Sequence, residues 1–455
     1  MPLVHQDRLV RNYQPLFYLR LLKSRNGKKR KITGKIVKIQ DMVNLVIQRL
    51  LKYLVFMLSC IVTPILKLQY FKKRKRIPAI NNQLLLISAT EIARQIRKKM
   101  ISSEEVVRAY VERCTDVNPV INAIVESRFS AAIQEAQEVD KLLASTTKTE
   151  EELARETPLL GVPITVKESF AVEGLISTEG HKPHSHDESF TVYCTPGPMV
   201  RYAEDLSLMM KIMCQSEETC KKFEQKVCLK DMKFFYLENC CGVTDSISKD
   251  VKQVMKKLRI HIETTYGLKV EKARLPAMKF VLNIASLMLS MDLDDIKDDI
   301  TCAGSSRCLL EELKSICGMS QNTLSAITYT VMKWIYHKLS ESYEREVSAK
   351  RDELKKQFEE LLGDNGVLIF PTFVSSAYYS NESYPNIFNF MYLTVANVLG
   401  IPATHCTMGL NKQGLPVGLQ IMANAGNDHL TIAVAKEIDK AFGGWQLPPM
   451  TELQV

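Results

Sequence analysis

Gly161-Val162-Pro163-Ile164-Thr165-Val166-Lys167-Glu168-Ser169 is the stretch from which the rest of the chain is read. The β-branched, apolar run before Lys167 predicts a strand from Leu159 to Val166, with the lysine at or just past its end. A lysine in that position is either solvated or catalytic. If it is buried it must be neutral or paired, and its pKa has to fall roughly three units from about 10.4, which costs about 4–5 kcal/mol. Lysine undergoes such a shift more readily than arginine and can then act as a general base. The residues alone leave both readings open.

The chain has 455 residues, 46% of them hydrophobic and 24% charged, which is the composition of a globular protein with a large core. Its formal net charge of +9 is concentrated in the first 80 residues, in Lys28-Lys29-Arg30-Lys31 and Lys72-Lys73-Arg74-Lys75-Arg76. The rest of the chain carries no basic excess, so nucleic acid is not an expected partner. Twelve cysteines are scattered, include no C-x-x-C pair, and are expected to be reduced thiols.

Between the basic clusters lies Tyr53 to Leu66, Tyr-Leu-Val-Phe-Met-Leu-Ser-Cys-Ile-Val-Thr-Pro-Ile-Leu. The run extends from Leu50 to Leu68 if Lys52 and Lys67 snorkel. It is short against the ~20 residues of a spanning helix, and no small-residue cleavage site follows it. We expect a single N-terminal membrane anchor over about 50–68, spanning or lying in one leaflet, with a buried or amphipathic helix as the alternative. Basic flanks favour an anionic membrane surface and leave the orientation open. An endomembrane location follows as an expectation, and residues 1–85 then form a basic N-terminal region ahead of a domain at 86–455.

Ser88-Ala89-Thr90-Glu91 has the form of a capping box and opens a helix carrying Ile92, Ile96 and Met100. Ser102 or Ser103 caps a second, with Val106, Val107, Tyr110, Val111 and Cys114 at helical spacing. Asn118-Pro119 is expected to break it, Ile121–Val125 to form a strand, Phe129–Ala144 a helix, and 146–156 a charged loop. Further on, Val367–Phe370 reads as a strand, Asn411–Gly414 as a turn between two apolar strands, and Asn427-Asp428-His429 as the cap of a helix through Phe442. Lys333–Leu362 reads as an amphipathic surface helix.

Pro158-Leu159-Leu160-Gly161-Val162-Pro163-Ile164-Thr165-Val166-Lys167-Glu168-Ser169-Phe170 resembles the lysine motif of the amidase signature hydrolases. Val117 to Val125 resembles that family's N-terminal region. The late strand before Pro371, the Asn-rich helix and Gly-Ile-Pro turn within Phe388–Pro402, and the hairpin Gly409–Met422 resemble its C-terminal part. The resemblance covers about residues 86–445, and the hydrophobic anchor points to the membrane-bound fatty-acid amide hydrolases, the fatty-acid amide hydrolase 2 group in particular. It implies an α/β fold with a mixed central sheet surrounded by helices, no cofactor and no metal, a lipid-amide substrate, and hydrolysis by a Ser, cis-Ser, Lys triad. Lys167 matches the lysine of that triad.

The serines of the triad have no counterpart here. The family carries them in a Gly-Gly-Ser-Ser-Gly-Gly type loop and a Gly-Gly-Ser-Ile-Arg type turn, and this sequence contains neither. After Lys167 it follows the family through Ala171–Leu175 and then reaches Gly180-His181-Lys182-Pro183, which resembles a segment beyond the nucleophile. Twelve residues separate Lys167 from Gly180. An internal truncation between about 176 and 180 is therefore expected, and it would take central strands with it. Apolar surface so exposed costs ~25 cal/mol per Å², against a total stability of ~5–15 kcal/mol.

Ser177, Ser305-Ser306 and Ser375-Ser376 lack the flanking glycines that let backbone N–H groups converge on an oxyanion. His181, His184, His186 and Asp187 could hold a metal on a loop, or serve as a polar junction. Phe280, Leu282, Met288, Leu289 and Met291 are candidates for lining an acyl pocket, with plain core as the alternative. The expected function is that of a fatty-acid amide hydrolase 2-like amidase acting on lipid amides at a membrane, inactive in this chain because only Lys167 of the triad is present. A non-catalytic, membrane-attached lipid-amide-binding protein and an unstable skipped-exon product are the alternatives.

Overall fold

The computed structural model describes residues 77–167, 197–214, 216–292, 341–379 and 382–447, the helical residues 59–68, and isolated positions elsewhere. Two compact units are present, Met1–Leu54 and Val55–Val455. In the first, the described residues Val46, Arg49, Leu50, Lys52 and Tyr53 are helical. Everything below concerns the second.

A helical layer comes first: α1 (Ala89–Arg97), α2 (Ser103–Ile121), α3 (Phe129–Ser145) and α4 (Glu150–Glu156). Ser88 Oγ accepts from the Glu91 N–H and Ser102 Oγ from the Glu105 N–H, so both expected caps form. Ile92, Ile96, Val106, Leu143 and Leu153 bury into one small core, whereas Met100 lies past the end of α1 and is exposed.

Three expectations fail in this layer. α2 runs through Pro119 to Ile121 in place of a break and a strand. Asn122, at φ 49°, closes it by donating to Asn118 O at 2.7 Å, and the Asn118 side chain accepts from the Ala123 and Ile124 N–H groups, each at 2.9 Å. Local capping thus satisfies the donors a strand would have needed. The expected loop at 146–156 contains α4, held by a reciprocal capping box between Thr149 and Glu152. Finally, Leu159–Val166 is no strand: 158–161 is a turn and 162–167 an irregular segment, with Ile164 66% and Val166 45% exposed. A β-branched run becomes a strand only beside another strand that takes its hydrogen bonds, and none of the described strands pairs with it.

After α5 (Glu204–Met213) and α6 (Glu217–Lys222) the chain enters a five-stranded sheet. Its strands are β1 (Lys233–Tyr236), β2 (Val270–Lys272), β3 (Gly366–Phe370), β4 (Ala403–Leu410) and β5 (Pro416–Met422), in the order β2-β1-β3-β5-β4. β1 pairs in parallel with β2 and β3, while β5 pairs antiparallel with β3 and β4. The sheet is mixed, as expected. The parallel pair β1–β2 is joined by α7 (Lys249–Tyr266), since parallel neighbours need a crossover. The antiparallel pair β4–β5 is joined by the expected turn at Asn411–Gly414, where the Asn411 carboxamide oxygen accepts from Gln413 and Leu415 N–H groups.

All five residues of β3 are buried, which is what a continuous apolar run in a covered strand predicts. The covering helices include α8 (Val281–Asp292), α9 (Glu341–Leu362), α10 (Met391–Leu399) and α11 (Asp428–Phe442). α9 is the described part of the expected amphipathic helix, and it turns Val347, Leu354, Phe358 and Leu362 inward. Asn427 precedes α11 at the expected cap position but makes no side-chain cap bond.

The N-terminal apolar stretch is helical over residues 59–68. No helix among the described residues is long and apolar enough to cross a membrane. Leu66 on this helix is buried and Thr63 Oγ1 donates to Glu382 Oε1 at 3.1 Å, while Ile61, Ile65 and Leu68 stand exposed.

Candidate active site

The helical layer sets the start of the lysine segment. Ser103 Oγ donates to Gly161 O at 2.9 Å, and Arg97 Nη1 donates to Pro158 O at 2.6 Å. Gly161 has φ 79°, and a Cβ there would lie 2.7 Å from Ser103 Oγ, so only glycine fits this close approach without strain. Leu160 and Val162 still touch the small N-terminal core. Beyond Pro163 the chain leaves it, and Lys167 ends in the open with an exposed side chain. Lys167 forms no hydrogen bond or ion pair with any described residue.

Residues 201–205 dock onto the start of α1 and the segment before it. Tyr202 OH donates to Leu86 O at 2.6 Å, and Arg201 Nη1 donates to Leu85 O. Asp205, 3% exposed, accepts from Ala89 N at 3.1 Å, Thr90 N at 2.9 Å and Thr90 Oγ1 at 2.6 Å. Its carboxylate therefore satisfies the first free N–H groups of α1 and lies at the positive end of that helix. No spacing rule in the sequence announces a cap delivered from 116 residues away.

Ser177, Ser305, Ser306, His181, His184, His186 and Asp187 lie outside the described residues, as do the side chains of Leu289 and Met291. Ser375 Oγ donates to Ser376 O at 2.9 Å, and Ser376 Oγ accepts from Asn411 Nδ2 at 3.4 Å. Neither hydroxyl is hydrogen-bonded to a histidine or lysine among the described residues, so the geometry gives neither a base. Met288 is buried in the main core. Phe280 is only half-buried and carries the Lys279 and Lys350 ammonium groups at 4.6 and 4.4 Å from its ring centroid. Met288 is a core residue, and Phe280 packs against the edge of the same core.

A buried polar knot near the end of β3 was not foreseen. Asn389 donates from Nδ2 to Asp245 Oδ2 at 3.0 Å and to Tyr378 OH at 3.1 Å, while its Oδ1 accepts from Asp245 N at 2.9 Å. Gln420 Nε2 donates to Pro371 O and Tyr392 O, each at 2.9 Å. Burial pushes the Tyr392 phenol up to about 12, so it stays a donor. These groups satisfy one another and fix the β3–α10 junction; they make a structural set.

The sequence profile of the amidase family matches residues 105–191 and 186–432. The chain is 28% identical over 494 residues to fatty-acid amide hydrolase 2-B of Danio rerio, a match covering 83% of this chain and 93% of that protein. It is 29% identical over 490 residues to fatty-acid amide hydrolase 2 of Homo sapiens, covering 81% and 91%. Among solved structures, a bacterial aryl acylamidase of the amidase signature family superposes with a TM-score of 0.59 at 15% identity, over 78% of this chain and 96% of that one. A fatty acid amide hydrolase structure gives 0.56 at 16% identity, over 78% and 85%. At these identities the superpositions speak for the fold.

Proposed function

This chain belongs to the amidase family, and we propose that within it the chain is a fatty-acid amide hydrolase 2-like member that keeps the lysine of the catalytic triad as Lys167 but has lost both serines and with them hydrolytic activity. The observation that carries this reading is the sequence around the junction. The chain has one Gly-Gly pair, Gly443-Gly444, and it is followed by Trp445. No serine therefore follows a Gly-Gly pair as in the family's serine loop, and Ser305-Ser306 has a glycine, Gly304, on one side only.

Three further observations support it. The family profile matches in two pieces whose ends overlap at 186–191. The 494-residue match to the Danio rerio protein is longer than this chain's 455 residues, so parts of that protein have no counterpart here. And the lysine segment, expected as a strand, is irregular and exposed, as it would be with its neighbouring strands removed. An amide substrate bound here would meet no nucleophile to form an acyl-enzyme and no set of N–H donors for the oxyanion.

The exposed row Ile61, Ile65 and Leu68, on a helix whose other face is docked through Leu66, supports membrane attachment by lying on the surface. Lys72–Arg76, a few residues on, would add attraction to anionic lipids. A long-chain fatty-acid amide incubated with the full chain in detergent micelles tests the catalytic half of the proposal. The release of fatty acid should equal that of buffer and be unchanged in Lys167→Ala. Turnover that Lys167→Ala abolishes would overturn it.

A further inference from the structure

A groove of about 340 Å³ lies between the segment from Phe223 to Leu229 and α11. Its volume falls within the range of small-molecule sites. Phe223, Val227 and Ile432 give it an apolar lining, and Lys226, Lys436 and Lys440 stand around it, with His429 from the first turn of α11. One carboxylate also faces the groove, that of Glu437, but it is engaged by His261 Nε2 at 2.8 Å. Among the described residues none of the three lysines forms a salt bridge. The Lys436 ammonium donates to the neutral Ser207 hydroxyl at 2.8 Å, and burial lowers its pKa.

The lysines outnumber the carboxylates near them, Glu437 in the lining and Glu204 acting on Lys436, and this excess of positive charge raises the free energy of the empty groove. A second unmet demand lies beside them: the buried His429 Nδ1 has no hydrogen-bond partner among the described residues. His429 stands in the first turn of the 15-residue α11 and Lys440 in its last, so the groove runs along the helix and the lysines mark its far half. A carboxylate ligand would leave more than one ammonium uncompensated, whereas a phosphate monoester carries close to two negative charges and three acceptor oxygens.

We propose that this groove is a binding site for a small phosphate monoester, its phosphate held by Lys226, Lys436 and Lys440 and its organic part resting on Phe223, Val227 and Ile432. The site is independent of Lys167 and of any amide chemistry. Phenyl phosphate titrated calorimetrically into the full chain at low ionic strength should bind saturably at one site. Lys436→Gln/Lys440→Gln should weaken it at least tenfold, about 1.4 kcal/mol. Lys226→Gln, on the facing wall, should weaken it in the same direction, and all variants should keep the parent's thermal midpoint because these side chains are at the surface. Lys230→Gln, exposed but outside the groove, should change nothing. No saturable heat up to about 10 mM, a range already weaker than ordinary specific binding, would overturn the site, as would an equal loss in Lys230→Gln.

Discussion

Replacing Asp205 by alanine tests whether segment 201–206 is seated on the start of α1. The carboxylate accepts three hydrogen bonds, at 3.1, 2.9 and 2.6 Å, from two backbone N–H groups and one hydroxyl at the start of α1. A helix cap is worth about 1 kcal/mol, and hydrogen bonds to a charged group about 1.5–3 kcal/mol each before water re-enters. With water partly replacing the lost acceptor, Asp205→Ala should cost about 3 kcal/mol, a large share of the ~5–15 kcal/mol of a typical domain. Asp205→Asn keeps one acceptor and should cost about half as much. Urea titration reads the loss as a lower midpoint, and hydrogen exchange should show the Ala89 and Thr90 amides deprotected before those of β3. A cost below about 0.5 kcal/mol, the level of an ordinary surface change, would show that segment 201–206 is not seated on α1.

Other outcomes follow from single sites. Gly161→Ala should cost about 2–3 kcal/mol in urea titration, from the positive φ and the contact with Ser103 Oγ together, while Lys167→Ala should leave the midpoint within about 0.5 kcal/mol. His405 bonds Thr372 Oγ1 through Nδ1 at 2.7 Å, and protein atoms crowding one side of its ring hold it below its ordinary value of 6.5. The unfolded chain therefore takes up the proton first, so this contribution is complete above about pH 6.5 and is lost as pH falls through the folded value. The urea midpoint should drop between pH 7.5 and 5.5, by less in His405→Gln. Cys406, buried and pushed up to about 12, should resist iodoacetamide in the native protein while exposed Cys228 reacts, as peptide mapping would read. Ile61→Glu/Ile65→Glu should abolish co-sedimentation with vesicles of mixed phosphatidylcholine and phosphatidylserine if the 59–68 helix attaches the chain.

Sequence pattern resolves the parts of this fold whose determinants are local. The apolar run of β3, the Asn411–Gly414 turn and the Ser88 and Ser102 caps need no information beyond a few neighbours, and each stands where it is expected. The Thr149-x-x-Glu152 signal of α4 is equally local, but the charge around it reads as a loop. Asp205 and Asn389 could not be foreseen, since their partners lie 116 and 144 residues away. The cation-lined groove has the same origin, joining Lys226 to Lys436 across more than two hundred positions. Leu159–Val166 failed for a different reason: its composition is that of a strand, but a strand is a property of a pair, and the described sheet offers it no partner. For the site, the lysine motif around Lys167 is legible in the sequence, and the proposed loss of the serines rests on the sequence alone. The lysine's exposed setting became visible only in three dimensions.

The central claim, that this amidase-family chain carries no activated serine, is tested most directly by intact-mass analysis after treatment with a fluorophosphonate. The account predicts the unmodified mass for the folded full chain and for Lys167→Ala alike. A stoichiometric adduct on one serine, formed by the parent chain and lost in Lys167→Ala, would contradict it.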